Sequence, residues 1–392
     1  MKSILDYGAK GNGVDDDTVA IQAAIDAGGA EFPERTFRFS KQLTIKKPCN
    51  LWGTGATLLA PKFIQNAIVL NAAKHVTIHG LAIQAVAHTL LSNSGACEDV
   101  EISRCELLGT FPTTNYLINF ENSKGVAVED CQGSGTQYGF RFGSGMLRSR
   151  IAYCEIQNWL QYAYHIWSGA AGTRDIELYR NSCINPLAGK GSRQGIVVLS
   201  DPDNMNRRNV SLRILYNIMR GESQPYNPAN PAANKGSGDL IVLHNCSNFL
   251  VEGNEAYYGG EIGITVSRFC KYGVISKNSI RGNDAHGLQV SGLNDRCEYI
   301  TISNNRIYNN GLRKDGKADV MSQLYLQDAE DILIEGNQLE DLFEKRRCKS
   351  GIQMALCENV TIPPESNQIT FKDAVGAVPI LEFKRPPEVK AN

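Results

Sequence analysis

Short apolar runs and small polar turns alternate along nearly the whole chain, and the alternation repeats. Phe249-Leu250-Val251-Glu252-Gly253-Asn254 is followed by Gly263-Ile264-Thr265-Val266. Gly273-Val274-Ile275-Ser276-Lys277-Asn278 is then followed by Gly287-Leu288-Gln289-Val290. A strand ends at an asparagine, a second short strand follows, and the unit restarts after about 24 residues, a period that marks a solenoid or propeller. Only the N-terminal region has a stretch long enough for a helix. The pattern predicts an all-β chain, a single-stranded right-handed parallel β-helix with an N-terminal capping helix.

The coils can be counted from one strand of each: Val76-Thr77-Ile78, Val100-Glu101-Ile102, Val126-Ala127-Val128, Arg150-Ile151-Ala152, Ile176-Glu177-Leu178, Val210-Ser211-Leu212, Leu250-Val251-Glu252, Val274-Ile275-Ser276, Ile300-Thr301-Ile302, Ile332-Leu333-Ile334 and Val360-Thr361-Ile362. That makes about eleven coils. The turn after this strand carries Cys105, Cys131 and Cys154 in early coils, then Asn181, Asn254, Asn278, Asn305 and Asn337. A stacked asparagine bonds the next amide and the local backbone at a tight αL bend, and a cysteine fills the same niche as a small apolar group. Both ladders read as structural. Residues 1–42 form the cap, 43–370 the β-helix, and 371–392 a closing strand and tail.

A second strand in each coil alternates, which fixes its faces. With Phe140 and Phe142 inward, Arg141 faces out. The same register turns Asn119, Glu121, His165, Trp167, Val197, Leu199, Ile241, Leu243, Thr265, Ser267, Gln289, Ser291, Tyr325 and Gln327 outward. Stacked about 4.8 Å apart, they make a continuous groove floor. Insertions at Asn185–Arg193, Asp201–Arg208, Glu222–Gly238 and Gly311–Ser322 interrupt the period; loops on a rigid scaffold are where recognition concentrates.

Composition narrows the functions. The 392 residues carry Lys+Arg 40 against Asp+Glu 41, so no basic excess argues for nucleic acid. Eleven cysteines without a Cys-x-x-Cys pair suggest buried free thiols, neither a zinc site nor a complete disulfide framework. No metal or other cofactor is expected. No apolar run suits a membrane span, and Met1-Lys2-Ser3-Ile4-Leu5-Asp6 lacks the apolar core of a signal peptide. The expectation is a protein made in the cytoplasm that, if it works outside a cell, leaves by non-classical export or another route.

The most specific stretch is Asp6-Tyr7-Gly8-Ala9-Lys10-Gly11-Asn12-Gly13-Val14-Asp15-Asp16-Asp17-Thr18. It is a glycine-rich turn entering a helix, with Asp17 as N-cap and Ile21, Ala24 and Ile25 as its apolar face. Asp15, Asp16 and Asp17 read as capping residues and not as metal ligands. With Gly28-Gly29-Ala30-Glu31-Phe32-Pro33-Glu34-Arg35-Thr36-Phe37, this segment resembles the N-terminal signature of the pectate-lyase-like β-helix superfamily. That group includes phage tailspike depolymerases, polygalacturonase-type hydrolases and alginate epimerases. The resemblance implies the fold and carbohydrate chemistry. The Asn-Thr-Asp, Asp-Asp, Gly-His-Gly and Arg-Ile-Lys segments of the hydrolases do not occur in the expected coils. Where the epimerases have Tyr-Gly-Phe-Asp-Pro-His, this chain has Tyr138-Gly139-Phe140-Arg141-Phe142-Gly143.

Breaking a polysaccharide needs two carboxylates flanking the bond, or a base with a cation that calms a uronate carboxylate. Glu121, Arg141 and His165 on neighbouring coils supply an acid, a cation and a titratable base, with Trp167 and Tyr162 to stack on a sugar. Glu121 and Arg141 also read as a plain cross-strand ion pair. A second set is Asp201, Asp203 and Asp239, with Glu222, Tyr226 and His244; Asp201-Pro202-Asp203-Asn204 is equally an ordinary turn. A third is Asp284, His286 and Gln289. Lys190 and Arg193 would make the groove basic. These residues point to a polysaccharide depolymerase, hydrolase or lyase, and the resemblance implies the tailspike type, acting outside the cell as part of a virion. The resemblance implies a homotrimer, which an apolar outward stripe would fit. A uronate-directed lyase or C5-epimerase and a non-catalytic glycan-binding β-helix are the other readings.

Overall fold

The computed structural model describes residues 1–184, 186, 193–200, 209–221, 238–293, 295–311, 321–343, 347–373 and 375–383. They form two compact units, Met1–Ile218 and Met219–Asn392. Each is a stack of coils whose described strands pair in parallel, residue on residue. In the second unit, for example, Lys271–Ser276, Ser279–Arg281 and Leu288–Ser291 make one coil. Cys297–Ser303, Arg306–Tyr308 and Ser322–Gln327 make the next. The chain is a parallel β-helix. The stacking continues past residue 370, since Val378–Phe383 pairs with Ser350–Ala355 as another rung. The inserted segments expected to carry Lys190, Asp201, Asp203, Glu222 and Tyr226 lie outside the described residues.

At the N-terminus the helix Thr18–Asp26 buries Ala20, Ile21, Ala24 and Ile25 and packs on Leu43–Ile45 and Gly29–Phe32. Asp17 does not cap it with its side chain. The carboxylate instead accepts the backbone N–H groups of Lys10 at 2.7 Å and Gly11 at 3.1 Å, closing the glycine-rich turn. Asp16 accepts the Thr18 N–H in its place, at 3.0 Å.

Four strands sit in a different register from the one read off the sequence, Leu250-Val251-Glu252 among them. Leu212-Arg213-Ile214, not Val210-Ser211-Leu212, stacks on Ile176-Glu177-Leu178. Ser149-Arg150-Ile151 replaces Arg150-Ile151-Ala152. Gly273-Val274-Ile275 stacks between Phe249-Leu250-Val251 and Ile300-Thr301-Ile302, which leaves Val274 38% exposed. The Phe249 ring fixes this last shift: a Cβ on Gly273 would come within 1.9 Å of it. On the groove strand, Ile241 and Leu243 pair with the buried Ile264 and Val266 and face inward. Val242 and His244 take the outward row that had been assigned to them. A one-residue slip exchanges the faces of a strand.

The turn ladder is continuous within each unit and longer than expected. The thiols of Cys105, Cys131 and Cys154 each lie 3.5 Å from a carbonyl one coil back, those of Ile78, Ile102 and Val128. The amides of Asn181 and Asn217 donate to the equivalent carbonyls of Ile151 and Leu178, and those of Asn278, Asn305, Asn337 and Asn367 to Val251, Ile275, Ile302 and Ile334. The cysteines are therefore donors in the ladder as well as fillers. Each of these asparagines also accepts the backbone N–H of the ladder residue before it, Asn181 from Cys154 and Asn305 from Asn278, both at 3.0 Å. The αL residue is the one preceding, such as Arg180, Lys277 and Asn304 at φ 51°, 56° and 56°.

Because Asn305 satisfies a backbone N–H and a carbonyl that no water reaches, Asn305→Ala should lower the unfolding free energy by about 1–3 kcal/mol. Cys131→Ala, which removes only a weak thiol donor, should cost less. Denaturant midpoints of the two variants check the order.

Candidate active site

Each groove strand opens with two successive inward residues instead of an alternating pair. Leu117-Ile118, Gly139-Phe140 and Ala163-Tyr164 are all buried, as are Gly263-Ile264 and Gly287-Leu288. The first of each pair is usually small because the backbone of the next coil crosses it closely; a Cβ on Gly139 would lie 2.2 Å from the Ala163 carbonyl oxygen. This double step turns the preceding residue out to the groove rim. In the first unit the rim carries Tyr116, Tyr138 and Tyr162 in register. Tyr116 and Tyr138 stack with centroids 5.0 Å apart, and Tyr162 meets Tyr138 edge-on at 5.4 Å.

Beside the tyrosines runs the outward row Ser92, Asn119, Arg141, His165 and Val197. Arg141 donates to Asn119 Oδ1 and Glu121 Oε1, both at 2.6 Å, and its guanidinium lies 5.8 Å from the Tyr116 ring centre. The two acceptors hold the guanidinium level with the tyrosines. His165 sits between Tyr162 at 4.9 Å, Tyr138 at 6.1 Å and Trp167 at 6.3 Å. It is 8% exposed, and neither ring nitrogen has a hydrogen-bond partner among the described residues. Burial, with the Arg141 charge adding to it, pulls His165 down to about 3, so its imidazole is neutral. Burial and the neighbouring tyrosines push the Tyr138 phenol up, so it stays protonated. Glu121, Arg141, His165, Trp167 and Tyr162 thus come together on one face. Arg193 is buried, with its N–H bonded to the Leu160 carbonyl, and adds no exposed charge.

The sequence reading missed Tyr116 and Tyr138, together with His88, which contacts Asn115 at 2.7 Å near the Tyr116 ring. Strict period-2 counting from Phe140 points Tyr138 inward. The signal was present as a tyrosine two residues ahead of each inward aromatic or aliphatic, repeating once per coil.

In the second unit the rim carries Asp239, Ile262, His286 and Ser322. Asp239 accepts the Ile262 N–H at 3.0 Å and the Thr265 hydroxyl at 2.6 Å, and burial pushes its carboxyl up to about 6. His286 stacks on Tyr325 at 4.6 Å and accepts the Ser322 N–H at Nδ1; burial lowers it to about 4. His244 is lowered by burial also, and Gln289 lies between Thr265 and Tyr325. Among the described residues no group of three or more His, Cys, Asp or Glu side chains is placed to hold a metal ion.

Residues 1–84 match the family model described as rhamnogalacturonase A/epimerase, pectate lyase-like, and residues 239–378 match the right handed beta helix region. No curated protein is close enough in sequence to count as a relative. Among solved structures, the chain is similar to the A-module of mannuronan C-5 epimerase AlgE4 of Azotobacter vinelandii, at TM-score 0.64 and 16% identity over 99% of this chain and 98% of that one. It is similar to the N-terminal fragment of bacteriophage Phi29 gene product 12, at TM-score 0.65 and 13% identity over 97% of this chain and 72% of that one. An exopolygalacturonase of Thermotoga maritima aligns at TM-score 0.55 and 13% identity, over 86% of this chain and 90% of that one. These identities speak to fold. With the in-register coils, they make the chain a right-handed parallel β-helix, similar over residues 1–84 to the pectate-lyase-like family model.

Proposed function

We propose that the protein is a polysaccharide depolymerase that takes an acidic, uronate-containing glycan on the first unit. The observation that carries this reading is the tyrosine rim beside Arg141 and the unpartnered, neutral His165. Aromatic faces at one-coil intervals suit successive sugar rings, and a guanidinium is a bidentate partner for a carboxylate. Two solved structures of the same fold bear names that concern uronate polymers, a mannuronan epimerase and an exopolygalacturonase.

In the chemistry these groups suit, Arg141 pairs with the uronate carboxylate and withdraws charge from the adjacent carbon. His165 takes the proton from that carbon. The electron pair forms the new carbon–carbon double bond and expels the glycosidic oxygen, which takes a proton from the Tyr138 phenol. This is β-elimination, and its parts are general base, cation and general acid. As the substrate carboxylate offsets the Arg141 charge, one of the two causes that depress His165 is removed, so its basicity rises when substrate binds. Hydrolysis is the variant in which Glu121 and a second carboxylate flank the bond. The similarity to the mannuronan C-5 epimerase over nearly all of both chains favours a second reading, in which the same proton abstraction is followed by return of a proton without cleavage. A glycan-binding protein without turnover is the outcome left if no product forms. A homotrimer acting outside the cell, as in a phage tail, fits the depolymerase reading; light scattering on the purified chain measures the first.

Incubation with polygalacturonate, alginate and neutral polysaccharides, followed by absorbance and reducing ends together, tests the proposal. Elimination raises both signals; hydrolysis raises reducing ends alone. Arg141→Ala should lower kcat by about 10²–10³-fold, and His165→Ala by about 10²–10⁴-fold. Full activity in both variants would sink the site.

The pH behaviour gives a separate check. His165 stays neutral in the folded free enzyme well below its ordinary 6.5, so the acid limb of kcat/KM should fall far below that value. Its depressed value also means stability that is present above pH 6.5 and is lost as pH falls from 6.5 towards 3, because the unfolded imidazole binds a proton the folded one refuses. Denaturant unfolding across this window should show that loss, and His165→Gln should reduce it.

A further inference from the structure

We infer that the second unit carries its own sugar site, one that takes an uncharged sugar. The outward row of its groove strands reads Thr265, Gln289, Tyr325 and Gln353 in register, and none of the four is charged. At the rim, the His286 ring lies flat against Tyr325, at 4.6 Å and 12°. His286 Nδ1 lies 3.1 Å from the Ser322 backbone nitrogen and 3.0 Å from Ser322 Oγ, which locks the ring and leaves Nε2 without a partner among the described residues. The Tyr325 hydroxyl donates to Gln327 Oε1 at 3.1 Å, which fixes that amide and leaves its N–H groups for a ligand.

Two amides on this row have polar atoms without a partner among the described residues. Gln353 Oε1 is buried and is one of them. The Gln289 side chain, one rung from Tyr325 on the row's other side, has no hydrogen-bond partner among the described residues. A buried acceptor left without a partner costs about 1–3 kcal/mol, so a donor from a ligand is the natural complement. An aromatic plate flanked by amides that offer both donors and acceptors is the chemistry that recognises a polyhydroxylated ring. With no arginine or lysine in the row, a carboxylate meets no cation there among the described residues, which separates this row from the Arg141 row of the first unit. The glycan this protein binds therefore contains neutral sugars, and a purely uronate polymer does not fill this site.

The inference stands apart from the reaction proposed above and is tested on the full chain. Ligand-observed NMR and calorimetry would use a panel of neutral oligosaccharides (gluco-, manno- and galacto-configured) and an oligogalacturonate in parallel. At least one neutral oligosaccharide should bind. Its affinity should fall about tenfold, or about 1.4 kcal/mol, in Gln289→Ala and in Tyr325→Ala, and stay unchanged in Arg141→Ala. Gln289→Ala, at a half-buried side chain, is the smaller change and stands even if Tyr325→Ala fails to fold. Silence of the whole neutral panel, unchanged affinity in Gln289→Ala, or loss of neutral binding in Arg141→Ala would each overturn it. Failure of the oligogalacturonate alone counts against the acidic-glycan reading and leaves this one intact.

Discussion

Every feature of this protein depends on one constraint: each coil must lie in register on the last. Parallel pairing supplies the backbone bonds along the strands and reaches the αL turn residue, where the Lys277 N–H meets the Ser303 carbonyl, but the next N–H, that of Asn278, meets a side chain instead. There the buried ladder of thiols and asparagine amides takes over, donating to carbonyls one coil back and accepting N–H groups from the neighbouring coil. A buried peptide group left unmet is costly. The ladder thus sets the register that brings Asn119, Arg141 and His165 onto adjacent rungs, and the site follows from it.

The second level is the corner where two successive side chains turn inward. It separates what the core needs from what the groove displays. Phe140 and Tyr164 fill the interior, while Tyr138 and Tyr162, two residues earlier, are released to the rim. Burial then acts on the released groups: it keeps His165 neutral, the Tyr138 phenol protonated and Asp239 raised. The same low-dielectric surroundings that stabilise the stack prepare these groups for acid–base work.

The architecture was legible because the period is written in asparagines and β-branched runs, and the helix and ladder could be placed from sequence. The misses have common causes. Val274 and Ser211 look like strand residues by propensity, yet Gly273 under Phe249 and the pairing of Leu212 with Ile176 decide the register. Ile241 and Leu243 were placed outward because alternation alone cannot say which half of an apolar run is inside. Asp17 has the composition of a cap, but a tertiary contact with the Lys10–Gly11 turn wins its carboxylate. The tyrosine rim was hidden by a local double step that no period of two describes. Arg141 and His165 were legible because they lie beyond that step.

The double inward step has a consequence for how such a molecule can change. Since each coil presents one rim side chain and the core is closed without it, the rim works like a row of interchangeable type: Tyr, Tyr, Tyr in one unit, Asp, Ile, His, Ser in the other. Gain or loss of a whole coil would shift the row by one character and leave the others readable. Gain or loss of a single residue would garble every rung after it.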